Sequence, residues 1–551
     1  MVKSDWMPRS QDTSPPLASP DDRFLDRRLL WVDRRSDAMP TFIDVPRIVI
    51  SGVASGVGKT TVVAGICRAL ADAGLDVRPF KVGPDFIDPS HLGVAARRIC
   101  RNLDEFMMGP ELLKACFSFG SRGCDVAVIE GVMGLYDGAG FGPSLDFSST
   151  ASVARLLKAP VVLIVDSSSL GSSVAPLVKG YADFDRSVEV AGVILNKVGS
   201  ETHEKLLREA LEQCGIRCLG AIPRTNTVFV GSRHLGLVPA VEVGTAAEQV
   251  AREAGELVRR YVEVDSLLEA ARRAQPVCAE TGWDPWEVAA SLSRKVAGSF
   301  ESSDSIAADK PVVALAQGKA FSFVYAENRE LLEAFGAEIV PFDPLADETL
   351  PKGTAGVYLC GGFPELYSEE LAENVPLREE IRSLALQGAP VLGECGGFMY
   401  MGRSLGGRPM SGIFDFDFEM TGRLTLGYRT GRVFSDSILG KAGTAIVGHE
   451  FHYSAACPPA GPPDTPLSFA LELGRPALSE PPDSTESCTP ADGAPRRFDG
   501  AVRLGSVGTY LHAHWASSPW VPQRLVAAAA RFRAVSQNAR GGKLRAVDGH
   551  R

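Results

Sequence analysis

Cys395 stands in the stretch Ala389–Met401, APVLGECGGFMYM, between a short apolar run and a second one with helical spacing. Gly393, Gly396 and Gly397 bracket it, because such a turn leaves no room for a Cβ at the flanking positions. Strand, tight turn, nucleophile and helix make an elbow, here with cysteine in the place of serine. At a helix N-terminus the dipole and the free N–H groups favour a thiolate. The chemistry expected is attack on an acyl centre, assisted by a base. Eight histidines are present and five follow the elbow. His550 lies in the tail and is unsuited. The other four form two pairs, His449 and His452 in GHEFHYS, and His512 and His514 in GTYLHAHW. Strand alternation puts His512 and His514 on one face. For His449 and His452, on an aromatic-rich strand, a structural role competes with a functional one, and it is favoured for His452. Gly361 and Gly362, after a strand expected over 356–360, would offer N–H groups to an oxyanion.

A second chemistry sits upstream. Ser51–Thr61 reads SGVASGVGKTT, directly between an expected strand and an expected helix. In such a loop, with Gly56 and Gly58, backbone N–H groups surround phosphates, Lys59 neutralises them and the Thr60 hydroxyl, followed by Thr61, holds Mg²⁺. Three further segments end at the same sheet edge: KVGPDFIDPSH with Lys81, Asp85 and Asp88, EGVMGLYDG with Glu130 and Asp137, and Asn196-Lys197. Ligands gather at the C-terminal ends of parallel strands, and carboxylates there would complete a Mg²⁺ shell or align an acceptor. Asp88 or Asp137 alone fits a helix cap equally well. Asn196-Lys197-Val198-Gly199 lacks the aspartate that grips guanine, so ATP is favoured over GTP. Phosphoryl transfer to a small molecule fits this loop best.

These sites need two parallel sheets to hold them. Strands are expected over 48–51, 77–81, 125–130, 160–166, 188–196 and 216–222, with helices between, from the first over 60–73 to the last over 249–262. Near-continuous apolar strands alternating with helices imply an α/β fold with a parallel sheet covered on both faces. A second α/β unit begins at Pro311, with strands over 312–316, 338–342 and 356–360, then the elbow, then β-rich stretches over 433–454 and 497–515, and a last helix over 521–535. The domain reading is a disordered arm over 1–45, a nucleotide domain over 46–265, a linker over 266–309, a second domain over 310–535 with a mobile insertion over 458–495, and a basic tail over 536–551. Met39 is a candidate start.

Composition narrows the classes. The 551 residues carry a net charge of −10, with 45% hydrophobic and 23% charged residues, the profile of an ordinary soluble globular protein with no field that favours nucleic acid. No run of about 18 apolar residues marks a membrane span. Eleven cysteines are scattered without a repeating spacing, which points to a reducing cytoplasm, and Cys214 and Cys218 read as core thiols rather than a metal site.

Class I glutamine amidotransferases use a cysteine at such an elbow with a later histidine, and His512 follows the run that resembles their base-bearing strand. An acid usually stands two residues on; here His514 does, so the orienting member is absent or supplied otherwise. Together with SGVASGVGKTT, the motifs FKVGPDFIDPSHL, EGVMGLYDG, GGFPELY, GECGGFMYM, GHEFHYS and TYLHAHW resemble the cobyrinic acid a,c-diamide synthase family over about 46–520. The first half is similar to dethiobiotin synthetase. The resemblance implies a P-loop ATP-binding domain joined to a flavodoxin-like class I glutamine amidotransferase domain, acting as a glutamine-hydrolysing carbon–nitrogen ligase on the a and c acetates of a corrin. It implies Cys395 as nucleophile, His512 as base, Lys59, Thr60, Lys81, Asp85 and Glu130 around ATP and Mg²⁺, and Asp88 and Asp137 near the acceptor. Small molecules would be its partners, without nucleic acid or membrane, and a homodimer is one option for its assembly. Diamidation of another tetrapyrrole such as nickel sirohydrochlorin, or a regulatory ATPase with a non-catalytic glutaminase-like half, are the alternatives. Gly318 departs from the family, in which an acidic residue is expected there.

Overall fold

A computed structural model describes residues 40–225, 232–233, 236–297, 310–457, 468–474 and 497–548. Seven parallel strands form the first sheet, in the order Arg101–Leu103, Val77–Val82, Val126–Gly134, Arg47–Gly52, Val161–Asp166, Val190–Val198 and Cys218–Pro223. The central strand Arg47–Gly52 is buried at every position, as a strand covered on both faces must be. The phosphate-type loop leaves this strand and enters the helix Lys59–Asp72, against which the helix Thr245–Tyr261 packs.

The second sheet runs Glu338–Phe342, Val312–Ala316, Thr354–Leu359, Val391–Glu394, Ser506–Thr509 and Ala501–Arg503. Its first five strands are parallel and the last is an antiparallel edge. A third sheet is built on the long antiparallel pair Asp417–Val433 and Ala445–Cys457. It meets the second through mutual backbone hydrogen bonds of 2.9 Å between His449 and His512.

Some expectations are corrected. Within the arm expected over 1–45, Thr41–Ile43 forms a strand paired with Val277–Ala279; residues 1–39 lie outside the described residues. The stretch expected as linker carries the helices Val264–Arg272 and Pro285–Ala297 around that strand; residues 298–309 lie outside the description. In the insertion expected over 458–495, Leu471–Gly474 is a strand of the third sheet; its remaining residues, apart from 468–470, are outside the description. The last helix runs Trp520–Asp548, past the expected 535 and into the expected tail. Among the described residues no helix is long and apolar enough to cross a membrane.

Arg47 explains why the returning segment is seated. Its side chain is fully buried, and it donates to Leu157 O at 2.6 Å, to Val45 O at 2.9 Å and to Gln275 O. Burial lowers its pKa to about 10, so it stays charged at neutral pH. Arg47→Met would leave three carbonyls without their donor. A loss of about 3 kcal/mol is expected for the first domain, seen as an earlier urea midpoint; an unmoved midpoint contradicts this account.

Candidate active sites

The phosphate-type loop needs its glycines. Gly56 and Gly58 have φ of 76° and 91°, and a Cβ on Gly58 would fall on the Asn196 amide. Asn196 is committed to this loop: its Nδ2 donates to Val57 O at 2.8 Å and its Oδ1 accepts from Lys197 N at 2.9 Å. Lys59 Nζ donates to Met133 O at 2.6 Å and Ala54 O at 3.0 Å. Burial, and next Lys81, lower its pKa. Thr60 and Thr61 lie on the first turn of the following helix.

Lys81, Asp85, Asp88, Glu130 and Thr60 come together. Lys81 Nζ is 2.5 Å from Asp88, 3.3 Å from Glu130 and 3.7 Å from Asp85. Thr60 Oγ1 donates to Glu130 Oε1 at 2.7 Å. Burial works against the Lys81 charge, but Asp88, Glu130 and Asp85 outweigh it and hold the ammonium above its usual range. Burial pushes Glu130 up to about 7, and burial with Asp88 pushes Asp85 up to about 7. At neutral pH Glu130 and Asp85 are thus partly protonated, and Asp88, which against burial is held below its usual range by Lys81, is the main partner of the ammonium. Asp85 is partly engaged already, since its Oδ1 accepts from Ile87 N at 2.8 Å and Asp88 N at 3.2 Å. Asp137 turns back on its own loop and accepts from Gly134 N at 2.8 Å.

Mg²⁺ can be tested against these groups. Among the described residues no three acids, histidines or cysteines cluster as a complete metal cage. Glu130 Oε2 is nevertheless buried with no hydrogen-bond partner, beside the Thr60 hydroxyl. Mg²⁺ in such loops takes one or two protein oxygens and fills the rest from phosphates and water. Thr60 and Glu130 fit that demand, whereas Asp85 joins them only through Lys81.

At the elbow Cys395 has φ 49° and ψ −103°, a conformation costly for a residue with a side chain. A Cβ on Gly397 would fall on the Leu359 carbonyl, and one on Gly396 would lie 3.0 Å from Gly362 N. A Cβ on Gly361 would fall on the His512 ring. Gly361-Gly362 thus lies between the elbow and the imidazole. The expected thiol–imidazole hydrogen bond is not formed: Cys395 Sγ donates to Phe451 O at 3.7 Å, and His512 Nδ1 is buried without a partner. Such bonds often tighten only when substrate binds.

The expected thiolate is also corrected. The helix after Cys395 is only Gly396–Tyr400, and burial pushes the thiol well above its usual range. Burial, with His449 and then His452, lowers His512 to about 3. Burial thus favours the neutral form of both groups, and the environment that keeps the His512 ring uncharged also works against its taking a proton until substrate changes that environment. His452 stacks on Tyr510 at 3.8 Å between ring centroids, with Nδ1 2.9 Å from Ser454 O, so its ring is engaged by packing. His449 is buried, and burial lowers it to about 4.

Several residues without a sequence signal complete the site. Asn328 fixes the histidine loop by donating to Ala513 O at 3.1 Å and accepting from Trp515 N at 2.8 Å. His514 Nε2 lies 3.3 Å from Glu327, and Glu327 lies 2.8 Å from Arg101 of the first sheet. Tyr428 OH donates to Asp104 Oδ2 at 2.7 Å. Their partners lie 185 to 324 residues away in the chain, which no local spacing encodes.

Two functional halves thus stand in one chain, a loop suited to phosphate and a thiol elbow suited to acyl transfer, and the comparisons agree. Residues 48–237 match the CobQ/CobB/MinD/ParA nucleotide binding domain, and residues 312–520 match the CobB/CobQ-like glutamine amidotransferase domain. The chain is 45% identical over 499 residues to a hydrogenobyrinate a,c-diamide synthase of Streptomyces coelicolor, covering 88% of this chain and 97% of that one. It is 42% identical to another so named from Mycobacterium bovis, over 88% of this chain and 98% of that one. It is 40% identical to a cobyrinate a,c-diamide synthase of Caldanaerobacter subterraneus subsp. tengcongensis, over 74% and 86%. The chain is therefore a nucleotide-binding domain fused to a glutamine amidotransferase domain. It belongs to the a,c-diamide synthase family represented by these hydrogenobyrinate and cobyrinate enzymes.

A raised thiol pKa leaves Cys395 protonated below that pKa, so its thiolate grows only as pH rises. Iodoacetamide should label Cys395 of the substrate-free protein slowly at pH 7, where even an unperturbed thiol is only about 3% thiolate, and steadily faster above about pH 8.5. Fast labelling that levels off below pH 7 would reveal a resting thiolate–imidazolium pair and overturn the neutral assignment.

Proposed function

We propose that this protein is an ATP- and glutamine-dependent a,c-diamide synthase that converts the a and c acetates of a corrin to carboxamides. Cys395 Sγ attacks the side-chain amide carbon of glutamine while His512 takes the thiol proton and returns it to the departing ammonia. Gly361-Gly362, between elbow and imidazole, receives the oxyanion. Water then releases glutamate from the thioester. In the first domain the γ-phosphoryl of ATP passes to a corrin carboxylate, and ammonia displaces phosphate from the acyl phosphate to leave the amide.

The observation that carries this reading is the pairing of the two sites in one chain, a lysine loop with its carboxylate cluster and a strained, glycine-bound thiol elbow. Lys59, Gly56, Gly58, Thr60, Thr61 and Lys81 serve ATP. Asn196 serves it indirectly through its bond to Val57 O. Mg²⁺, held by Thr60 and Glu130 with Asp85 nearby, would neutralise phosphate charge when bound. Asp88 lies beside Lys81 at the acceptor edge, and Asp137 shapes the loop beyond Glu130. The division of work follows the domain reading, with 46–265 activating the acid and 310–535 releasing ammonia. The ten cysteines described are free thiols, which supports a reducing cytoplasm. The hydrogenobyrinate name of the relatives at 45% and 42% identity favours a corrin without metal.

Cys395→Ala should abolish glutamine-driven amidation and keep synthesis with added ammonium chloride. Loss of both would break the two-site account. Lys59→Ala should stop synthesis with either nitrogen source, and persistent amide formation would remove the lysine loop from the mechanism. Mass spectrometry of products should show the diamide from hydrogenobyrinic acid; exclusive turnover of cobyrinic acid or of nickel sirohydrochlorin would reassign the acceptor.

A further inference from the structure

Phe86 lies between Asp85 and Asp88 in sequence, yet its ring leaves the first domain. It sits 5.1 Å from the His512 ring centroid, stacks on Phe323 at 5.1 Å with planes 8° apart, and packs on Tyr325 at 4.5 Å. Phe323 meets Phe363 edge-on at 5.1 Å, and Ile87, Phe323 and Phe363 form a separate buried apolar cluster with Phe86 packed against it. The segment that brings carboxylates to Lys81 thereby also covers the imidazole of the other site.

His512 needs such support. Its Nδ1 is buried without a hydrogen-bond partner, and among the described residues no acid pairs with the ring. The place two residues on belongs to His514, whose own acid is Glu327 at 3.3 Å. Among the described residues the His512 ring is held by packing, on Gly361 and Phe323 from its own domain and on Phe86 from the other. The two loops are joined a second time. Asn102 Nδ2 donates to Gly83 O at 2.8 Å and Asp85 O at 2.7 Å, and so holds the Phe86 loop. Its neighbour Arg101 binds Glu327 and Glu330 on the helix Ala326–Ala334. From that helix Asn328 holds the backbone at Ala513 and Trp515.

We propose that Phe86 is a positioning residue for glutamine hydrolysis, an aromatic ring from the amidation loop that orients His512 in place of an acid. Glutaminase competence then depends on the conformation of the loop that carries Asp85 and Asp88. The inference rests on the proposed roles of Cys395 and His512.

The test is Phe86→Ala and Phe86→Tyr in the full chain, assayed with glutamine and, separately, with ammonium chloride. With glutamine, kcat of Phe86→Ala should fall about 10- to 100-fold, the cost of a small misplacement of a reacting group. KM for glutamine and the ammonia-driven rate should stay within about twofold, and Phe86→Tyr, which keeps the ring, should recover most of the loss. An unchanged glutamine-driven kcat overturns the proposal. So does an equal fall with both nitrogen sources, which would make Phe86 a part of the amidation loop alone, and so does a tyrosine variant no better than alanine. Failure of the unsubstituted enzyme to amidate with either source would instead defeat the two-site reading itself.

Discussion

The ion pair that crosses the two domains sets the geometry on which both sites depend. Arg101 stands on the edge strand of the first sheet and reaches Glu327 and Glu330 on the first helix of the second domain. Glu327 is almost wholly buried, and burial alone would favour its neutral form. Arg101 and His514 outweigh burial and hold it down at about 2, so it is charged at any working pH. Taking such groups out of water costs several kcal/mol per ion unless geometry and hydrogen bonds offset it. Glu327 meets that demand in part: its Oε1 accepts from the Arg101 guanidinium at 2.8 Å, while its Oε2 lies 3.3 Å from His514 Nε2 without a hydrogen bond. The contact joins the first sheet's edge strand to the first helix of the second domain.

Burial explains the resting state of the thiol. Phe86 of the first domain and Phe323 of the second pack on the His512 ring, and Cys395 and His512 are both buried. A buried thiol and a buried imidazole each favour the neutral form, so the pair rests without the ion pair that activates exposed cysteine enzymes. In a dry site a developing oxyanion interacts more strongly with fixed N–H groups than it would in water.

Sequence spacing reveals some of this and hides the rest for physical reasons. The lysine loop and the elbow are legible because each is a local backbone problem: glycine must occur where φ is positive or where another chain passes at contact distance, as at Gly58 and Gly397. The sheets are legible because strands buried on both faces are continuously apolar. The charge state of Cys395 was not legible, because a five-residue helix competes there with complete burial, and burial is a property of the assembled domain. Asp85 reads as a metal ligand from its neighbours, yet one of its oxygens is occupied with the turn that starts the next helix. Arg101, Glu327 and Asn328 leave no mark at all, since Arg101 meets Glu327 226 residues away and Asn328 meets Ala513 185 away.

Communication between two active sites is commonly sought in long paths of packed residues, which need their own evidence. With Phe86 in its proposed role, the path is very short. Asp85, Phe86 and Asp88 share one turn, and a change in how Lys81 is balanced by carboxylates and phosphate moves a backbone whose next side chain lies on the His512 ring. The loop is stiff, because Asn102 holds two of its carbonyls and Asp85 caps the following helix. A stiff loop transmits a displacement instead of absorbing it. Mg²⁺ held by Thr60 and Glu130 would place positive charge beside Lys81 and its carboxylates, and that is where such a displacement would start. On that proposal, coupling between ammonia release and acid activation would require only one loop with a carboxylate on one face and a phenyl ring on the other.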